Sequence, residues 1–351
     1  MNAIAIRMRG ELRRPALTAL VAALVVAFAI ALSSGAASIG PGRSLGVLLD
    51  VIGLGASAAQ EHERAVILFV RLPRVLLAIV VGAALAQAGA LMQGLFRNPL
   101  ADPSLVGISA GATLGAATVI VFAGALPFEL PTIVHRLLLP VCAFAGAQIT
   151  GVVLHHLSSS SGRTDVTTML LAGIAINAMA LAGTGALTYV ATDEQLRSLT
   201  FWGMGSLGGA TWSSLAVVAP VLVVAVASAW GLSRALDAML LGEGEAHHLG
   251  VDVERTKRRA LLTTSVLIGT SVALCGMIGF VGLLVPHLIR LVFGPSHRFL
   301  MTATILVGGV LLLIADLVAR TVAAPAELPI GIVTALLGAP FFLALLKRQQ
   351  T

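Results

Sequence analysis

The sequence predicts an all-α, polytopic membrane protein with ten transmembrane helices in a single domain, residues 1–351. Apolar residues make up 58% of the chain, charged residues only 11%, and the mean hydropathy is +0.99. Soluble domains average about 45–50% apolar and about 25% charged residues, which disfavours a soluble chain. One helix crossing the bilayer needs about 20 apolar residues, so 351 residues provide for roughly nine to eleven spans.

Nine apolar runs follow one another along the chain, at residues 16–34, 65–96, 104–126, 133–157, 166–191, 211–233, 260–293, 300–323 and 328–346. The run at 260–293 is too long for one ordinary helix and contains Pro286, which ends or kinks a helix. We therefore expect a full helix followed by a short one there, which gives ten helices. The first run is expected to be retained, because its apolar core exceeds that of a signal peptide.

The distribution of basic residues predicts the orientation. Both ends of the chain carry short basic segments, at 7–14 and 347–348, and positive charge marks the cytoplasmic side. We therefore expect both termini in the cytoplasm. Arg71, Arg74 and Arg320 then fall at outside helix ends, against the charge rule.

Other patterns exclude whole classes of function. The basic residues are not interleaved with aromatic residues, so nucleic acid is not predicted as a partner. Cys142 and Cys275 lack metal-ligand spacing, so no metal site is predicted. The GISAG segment at 107–111 has no predicted strand before it, as a nucleophile elbow requires, and its glycine spacing instead predicts close helix packing. No phosphate-binding loop is present, because neither lysine has the required context.

The chain also shows a weak internal symmetry. Gly89 and Pro99 are separated by ten residues, as are Gly276 and Pro286, on predicted helices that run in opposite directions. This spacing favours the inverted repeat common in transporters.

Several short segments resemble one family of transport proteins. They are RLPR at 71–74, GALMQG at 89–94, RNPLADP at 97–103, GIS at 107–109, GFVGLLVPH at 279–287, ADLVAR at 315–320, ELPIG at 327–331 and GAPFF at 338–342. Together they are similar to the permease subunit of the bacterial ABC importers for iron siderophores, haem and vitamin B12, over about residues 65–347. The segments 171–178 and 199–209 are most similar to haem permeases.

The resemblance implies a type II importer permease in the bacterial inner membrane. It implies a homodimer with a path at its two-fold axis, two separate ATPase subunits and a periplasmic haem-binding protein. On this interpretation the chain is no enzyme and binds no cofactor, since ATP and magnesium are held by the ATPase. Haem is the expected substrate, with a ferric siderophore or cobalamin as the alternative. Two alternative functions from other classes are an ion-coupled transporter that uses Asp316 and an intramembrane hydrolase that uses Ser109.

The resemblance also implies roles for two groups of residues. Arg71, Arg74 and Arg320 are expected to dock acidic residues of the binding protein; the alternatives are contact with lipid headgroups or a pair between Arg320 and Asp316. The inside segment 234–259 is expected to contact the ATPase, the alternative being a merely solvated loop. The residues expected to couple there are Leu241, Gly242, Glu243, Glu245, Ala246, Leu249 and Gly250.

The remaining polar residues are expected to lie in the path or to serve the fold. Asn177 lies on the fifth predicted helix, which lines the path in this family; a hydrogen bond between helices is the alternative. The resemblance places a cytoplasmic gate near Asp165, Thr167 and Thr168. Structural roles are expected for the polar residues Arg290, Asp316 and His287 at membrane depth, with Arg290 and Asp316 paired with each other or with backbone; a haem-ligand role for His287 is the alternative.

Overall fold

The computed structural model describes residues 12–35, 39–55, 59–125, 131–160 and 162–349. Arg7 and Arg9 of the basic N-terminal segment lie outside these residues. Within them the chain is almost entirely helical. In chain order the α-helices are α1 (Arg13–Ser33), α2 (Pro41–Val51), α3 (Glu61–Ala65), α4 (Leu72–Leu95), α5 (Ile108–Phe122), α6 (Thr132–Ser158), α7 (Val166–Val190), α8 (Asp193–Gly203), α9 (Trp212–Gly231), α10 (Ser233–Met239), α11 (Glu243–His248), α12 (Val253–Cys275), α13 (Val281–Phe293), α14 (His297–Thr321) and α15 (Ile330–Gln349).

Five shorter elements complete the described chain. A π-helical turn, Val66–Arg71, joins α3 to α4, and 3-10 turns lie at Pro103–Val106 and Ala123–Ala125. The strands β1 (Ser159–Ser160) and β2 (Arg163–Thr164) pair antiparallel and form a small hairpin between α6 and α7. Because a 3-10 turn and not a strand precedes α5, Ser109 does not lie on a nucleophile elbow.

Six helical segments of the described chain are long and apolar enough to cross a membrane. They are Arg13–Ser33, Glu61–Leu95, Arg136–Ser158, Val166–Val190, Trp212–Met239 and His297–Thr321. The helices Ile108–Phe122, Val281–Phe293 and Ile330–Ala344 are apolar but shorter. The prediction of a polytopic, all-helical membrane protein is therefore confirmed.

Helix α4 lies at the centre of the fold. It packs against α14, α12, α13 and α9, and every residue from 81 to 95 is buried. Its many alanines and glycines allow neighbouring backbones to approach closely. Gly82 and Gly308 face each other across α4 and α14, so a Cβ on either glycine would overlap the carbonyl oxygen of the other.

The long apolar run at 260–293 is broken, as predicted, but not at Pro286. Helix α12 ends at Cys275, and α13 begins at Val281 after a segment in which Gly276 and Phe280 have φ of +66° and +67°. Pro286 lies inside α13. It has no N–H for the carbonyl of Gly282, four residues earlier, and this carbonyl packs directly on Gly89 of α4.

The predicted equivalence of two glycine–proline pairs is not seen in the local structure. Gly89 lies inside α4, whereas Gly276 follows the last residue of α12. Pro99 lies in the turn after α4, whereas Pro286 is helical. Their shared spacing therefore does not reflect a shared position in a helix.

The glycine spacing at the start of α5 has the predicted effect. A Cβ at Gly111 would overlap Thr150 of α6, and a Cβ at Gly115 would overlap the Cys142 carbonyl of the same helix. Gly107 instead faces Ile176 of α7. These glycines hold α5 in close contact with two neighbouring helices.

Replacing Gly89 with alanine should destabilise the protein. The added methyl group would overlap the Gly282 carbonyl, which belongs to the backbone and cannot rotate away. Overpacking of this kind costs about 1–3 kcal/mol. We expect Gly89→Ala to lower the melting temperature of the detergent-solubilised protein, whereas Gly231→Ala, at a glycine with nothing within 4 Å, should leave it unchanged. Equal melting temperatures for both variants would contradict this packing.

Candidate functional site: two buried charge clusters and a coupling segment

The segment expected to contact the ATPase forms two short helices, α10 and α11, followed by a turn. Gly242 precedes α11 with φ +123°, and Gly250 follows it with φ +80°, so both positions favour glycine. Ala246 is completely buried and holds α11 against the rest of the protein. Glu245 is exposed on this helix.

Two large apolar side chains of this segment point away from the protein. Leu241 is 68% exposed and Leu249 is 63% exposed, on either side of α11. The segment thus combines one buried alanine with an exposed apolar and charged surface, an arrangement suited to fitting into a groove of another protein.

Lys257 lies beneath this segment and is 2% exposed. Its Nζ donates hydrogen bonds to Glu243 Oε2 at 2.7 Å, to the Thr164 carbonyl at 2.7 Å and to Glu254 Oε1 at 3.3 Å. Glu254 Oε2 in turn accepts a hydrogen bond of 2.7 Å from the Thr164 N–H. These four residues, Lys257, Glu243, Glu254 and Thr164, are called the Lys257 cluster below.

The predicted gate residues adjoin this cluster. Asp165 is the N-cap of α7, and its Oδ2 accepts hydrogen bonds from the Thr168 hydroxyl at 2.6 Å and the Thr168 N–H at 2.7 Å. These bonds hold the pKa of the Asp165 carboxyl below its usual range. Thr167 and Thr168 are exposed. An open cleft of about 950 Å³ separates the hairpin from α11, with Asp165, Glu243 and Lys257 in its wall.

The three arginines predicted to dock a binding protein lie at the other end of the molecule and are turned inward. Their exposure is 4% for Arg71, 8% for Arg74 and 7% for Arg320. Arg74 forms a two-pronged pair with Glu327, at 2.7 and 3.0 Å, and its Nε donates to Asp316 Oδ1 at 2.9 Å. The bonds from Arg74 hold the pKa of the Glu327 carboxyl below its usual range.

Arg71 and Arg320 cap the carboxyl end of α1. Arg71 donates 2.9 Å hydrogen bonds to the carbonyls of Leu32 and Ser33, while Arg320 donates to those of Ser34 and Ala31. These carbonyls have no partner within the helix and carry the negative end of its dipole. Within the described chain, the two arginines join α1 to the π-helical turn before α4 and to α14. Docking of a binding protein on them stays a prediction.

Asp316 is completely buried between two arginines. Besides its hydrogen bond from Arg74, its Oδ2 lies 3.3 Å from Arg320 Nε. The alternative of an internal pair between Arg320 and Asp316 is therefore what the structure contains. The predicted pairing of Arg290 with Asp316 is wrong, because Arg290 faces a different set of residues.

Arg290 belongs to a chain of polar contacts near the start of α14. Its Nη2 lies 3.2 Å from Nε2 of His297, and His297 Nδ1 lies 3.1 Å from Asp237 Oδ1. His297 is completely buried, and these contacts join α13 and α14 to α10. His287 is also buried, with Nδ1 3.3 Å from the Pro99 carbonyl and its ring 6.5 Å from that of Phe341. These contacts fit the structural roles expected for Arg290 and His287.

Asn177 is half-buried on α7, and its side chain forms no hydrogen bond with a described residue. Helix α7 is poorly covered by the described residues. Only 17% of its apolar 18-residue stretch is buried, compared with 83% for the helical segment that contains α4. Large apolar side chains such as Met179, Leu181 and Tyr189 are exposed along it. The helix therefore presents a wide face that the described part of the chain does not cover.

Sequence reasoning missed six residues of these contacts: Thr164, Asp237, Glu254, Lys257, His297 and Glu327. One signal could have found Lys257, since it is one of only two lysines in the chain and lies three residues after Glu254, on the same helix face. Arg74, the partner of Glu327, and Asp237, one partner of His297, lie far from them in the sequence, where no local pattern reveals the contact.

Comparison with known proteins assigns the family. The family model described as "FecCD transport family" matches residues 23–348. The chain belongs to the FecCD transport family. The haemin transport system permease of Yersinia pestis is 49% identical over 281 residues, which cover 80% of this chain and 83% of the relative. The cobalamin import system permease of Halobacterium salinarum is 43% identical over 290 residues, which cover 83% of this chain and 75% of the relative.

A solved structure agrees with this family assignment. It is titled as a metal-chelate type ABC transporter in an inward-facing conformation and superposes with a TM-score of 0.81 at 32% identity, covering 95% of this chain and 99% of that one. The predicted resemblance is therefore confirmed, and this FecCD protein is an ABC importer permease.

Replacing Asp316 with asparagine should destabilise the protein strongly. The change leaves two buried guanidiniums without their shared carboxylate, and removing one partner of a buried ion pair costs about 3–5 kcal/mol. We expect a clearly lower melting temperature in detergent. Asp193→Asn, at an exposed carboxylate in the first turn of α8, is the matched control and should have no effect. A stable Asp316→Asn protein would show that these pairs contribute little.

Proposed function

We propose that this FecCD permease is the membrane subunit of an ATP-driven importer that carries haem into the bacterial cytoplasm. The observation that carries this proposal is the 49% identity, over four-fifths of the chain, with a permease named for haemin transport. A cobalamin permease at 43% and an iron(III) dicitrate permease of Escherichia coli at 37% favour the alternative cargoes less strongly.

The proposed topology has ten membrane crossings. Six helical segments have the length and composition of a span, and three apolar helices are shorter. Helix α12 has 23 residues, and its polar first turns carry Glu254 and Lys257. An even number of crossings puts both termini on the cytoplasmic side, as the basic segments at both ends favour. The Lys257 cluster and α11 then lie in the cytoplasm, and Arg71, Arg74 and Arg320 lie towards the periplasm.

The proposed assembly is a homodimer with two ATPase subunits and a periplasmic haem-binding protein. The exposed apolar face of α7, together with exposed residues of α15 such as Leu336, supports a path between two copies, with Asn177 near it. The exposed leucines beside α11 support an ATPase contact there. ATP and magnesium would be held by that partner, and haem would pass as substrate. The permease itself would break no bond.

The environment of Asp316, the one candidate residue for an ion-coupled transporter, does not favour that alternative. A coupling carboxylate must bind and release its ion during transport. Asp316 is instead shared between Arg74 and Arg320 and is completely buried. The ATP-driven proposal needs no titrating group at membrane depth.

Transport in proteoliposomes tests the proposed function. The permease would be reconstituted with its cognate ATPase, and the uptake of haem, a ferric siderophore and cobalamin compared, each with a matched binding protein. We expect ATP-dependent uptake of haem alone, and none with an ATPase variant that binds ATP without hydrolysing it. Uptake of another cargo would keep the importer and overturn the haem assignment. Uptake that is indifferent to ATP would overturn the importer itself.

Replacing Leu249 with aspartate should weaken assembly with the ATPase. The 63% exposed leucine would contribute apolar surface to the contact, and a carboxylate there would have to be desolvated. We expect at least a tenfold loss of ATPase on co-purification. Leu12→Asp, at an exposed leucine beside α1, should leave assembly unchanged. Normal assembly of the Leu249→Asp permease would place the ATPase contact elsewhere.

A further inference from the structure

Three separate segments of the chain meet at the ammonium group of Lys257. Glu243 is the first residue of α11, Glu254 is in the first turn of α12, and Thr164 is the last residue of the hairpin between α6 and α7. The sequence separation between Lys257 and Thr164 is 93 residues, so this contact joins parts of the chain that are otherwise far apart. The hairpin is thereby tied to the segment beside the exposed leucines.

The hydrogen bonding at Lys257 is complete. An ammonium group has three N–H donors, and the three acceptors around this one are a backbone carbonyl and two carboxylates. A buried ammonium without partners is strongly unfavourable, because it loses its hydration without compensation. Separating α11 from the hairpin would remove at least one of these partners, so the ion pair resists such a separation.

Thr164 is held by both of its backbone groups. Lys257 binds its carbonyl and Glu254 binds its N–H. The next residue, Asp165, caps α7 through Thr168, so the hairpin leads directly into the helix. A displacement of α11 can therefore reach the start of α7 through two side chains, without passing through flexible loop.

The side chains of the Lys257 cluster differ in exposure, and this difference allows the cluster to rearrange around a fixed lysine. The Lys257 side chain is 2% exposed, whereas the side chains of Glu243 and Glu254 are 37% and 35% exposed. The carboxylates can exchange hydrogen bonds with water at the edge of the cleft as its shape changes. The lysine cannot, and it stays at the centre of the cluster.

We propose that Lys257 is a positioning residue that couples displacement of α11 to the hairpin at 159–164 and so to the cytoplasmic end of α7. This rests on the proposed function, because it assigns to the permease the step between ATP hydrolysis on its partner and the opening of the path. In this role Lys257 touches neither ATP nor cargo.

The first test compares transport with ATP hydrolysis in the assembled importer. In Lys257→Met, we expect ATP hydrolysis within twofold of the unaltered complex but at least tenfold less haem moved per ATP. In Glu243→Gln, we expect at least tenfold less haem moved per ATP, whatever the rate of hydrolysis. Lys257→Arg should recover much of the loss, since a guanidinium can reach several acceptors. Arg298→Gln, which removes an exposed basic residue of the same membrane side, is the control.

The variants separate coupling from folding. Lys257→Met leaves two carboxylates close together, and the protein could fail to fold. Glu243→Gln removes only the ionic contact to α11, at a partly exposed side chain, while Lys257 keeps its contacts with Glu254 and Thr164. Unchanged haem uptake per ATP in a folded Glu243→Gln complex would overturn the proposal.

The second test measures the link directly. With Cys142 and Cys275 replaced by alanine, spin labels would be placed on the exposed positions Arg163→Cys and His248→Cys, and their distance measured by pulsed electron resonance. We expect a narrow distance distribution in the unaltered permease and a clearly broader one in Lys257→Met. Equal distributions would overturn the link.

The two proposals fail in different ways. This second measurement needs neither ATPase nor cargo. If the unaltered complex moved no cargo with ATP, the proposed function would fail, whereas the distance distributions would still decide whether Lys257 joins α11 to the hairpin.

Discussion

The carboxylate of Asp316 is the interaction on which one whole end of the molecule depends. It neutralises Arg74 and Arg320 in a place that water does not reach. With its charge balanced, Arg320 can turn its remaining donors to the carbonyls at the end of α1, and Arg74 can hold Glu327 in the segment before α15. Polar groups away from water must find partners within the protein, so one acid at this depth determines the positions of several helix ends.

The Lys257 cluster at the opposite end follows the same physics with a different result. Both clusters place a buried charge among partners from distant segments. Around Asp316 the arginines are almost completely buried, which favours a fixed structure. Around Lys257 the glutamate side chains are about one-third exposed, so water can replace part of the network at modest cost. A contact that has to rearrange in each transport cycle is therefore more favourable at the Lys257 cluster than around Asp316.

The sequence predicts the helices well because an apolar run is a local signal. It predicts the contacts between polar side chains poorly because the residues in contact lie on different elements. Apolar runs indicate helices wherever the bilayer excludes water. The break in the run at 260–293 was misplaced because Pro286 is a strong local signal, yet it is accommodated in α13, where the unbonded Gly282 carbonyl packs on Gly89. Depth alone predicts that Arg290 pairs with Asp316 or with backbone, whereas Arg290 contacts His297, which in turn contacts Asp237.

Hydropathy also does not predict which of the apolar helices are buried within the protein. Helices α4 and α7 are both apolar and rich in alanine and glycine. Among the described residues, α4 is enclosed by other helices, whereas most of α7 is not. In a membrane, small residues favour close contact between helices, because lipid gives apolar side chains little reason to associate. Gly173 and Gly183 of α7 meet that expectation against residues 105 and 114, whereas Gly185 meets nothing within 4 Å. The uncovered face of α7 is equally compatible with lipid and with a protein neighbour, which is why hydropathy alone does not separate this helix from α4.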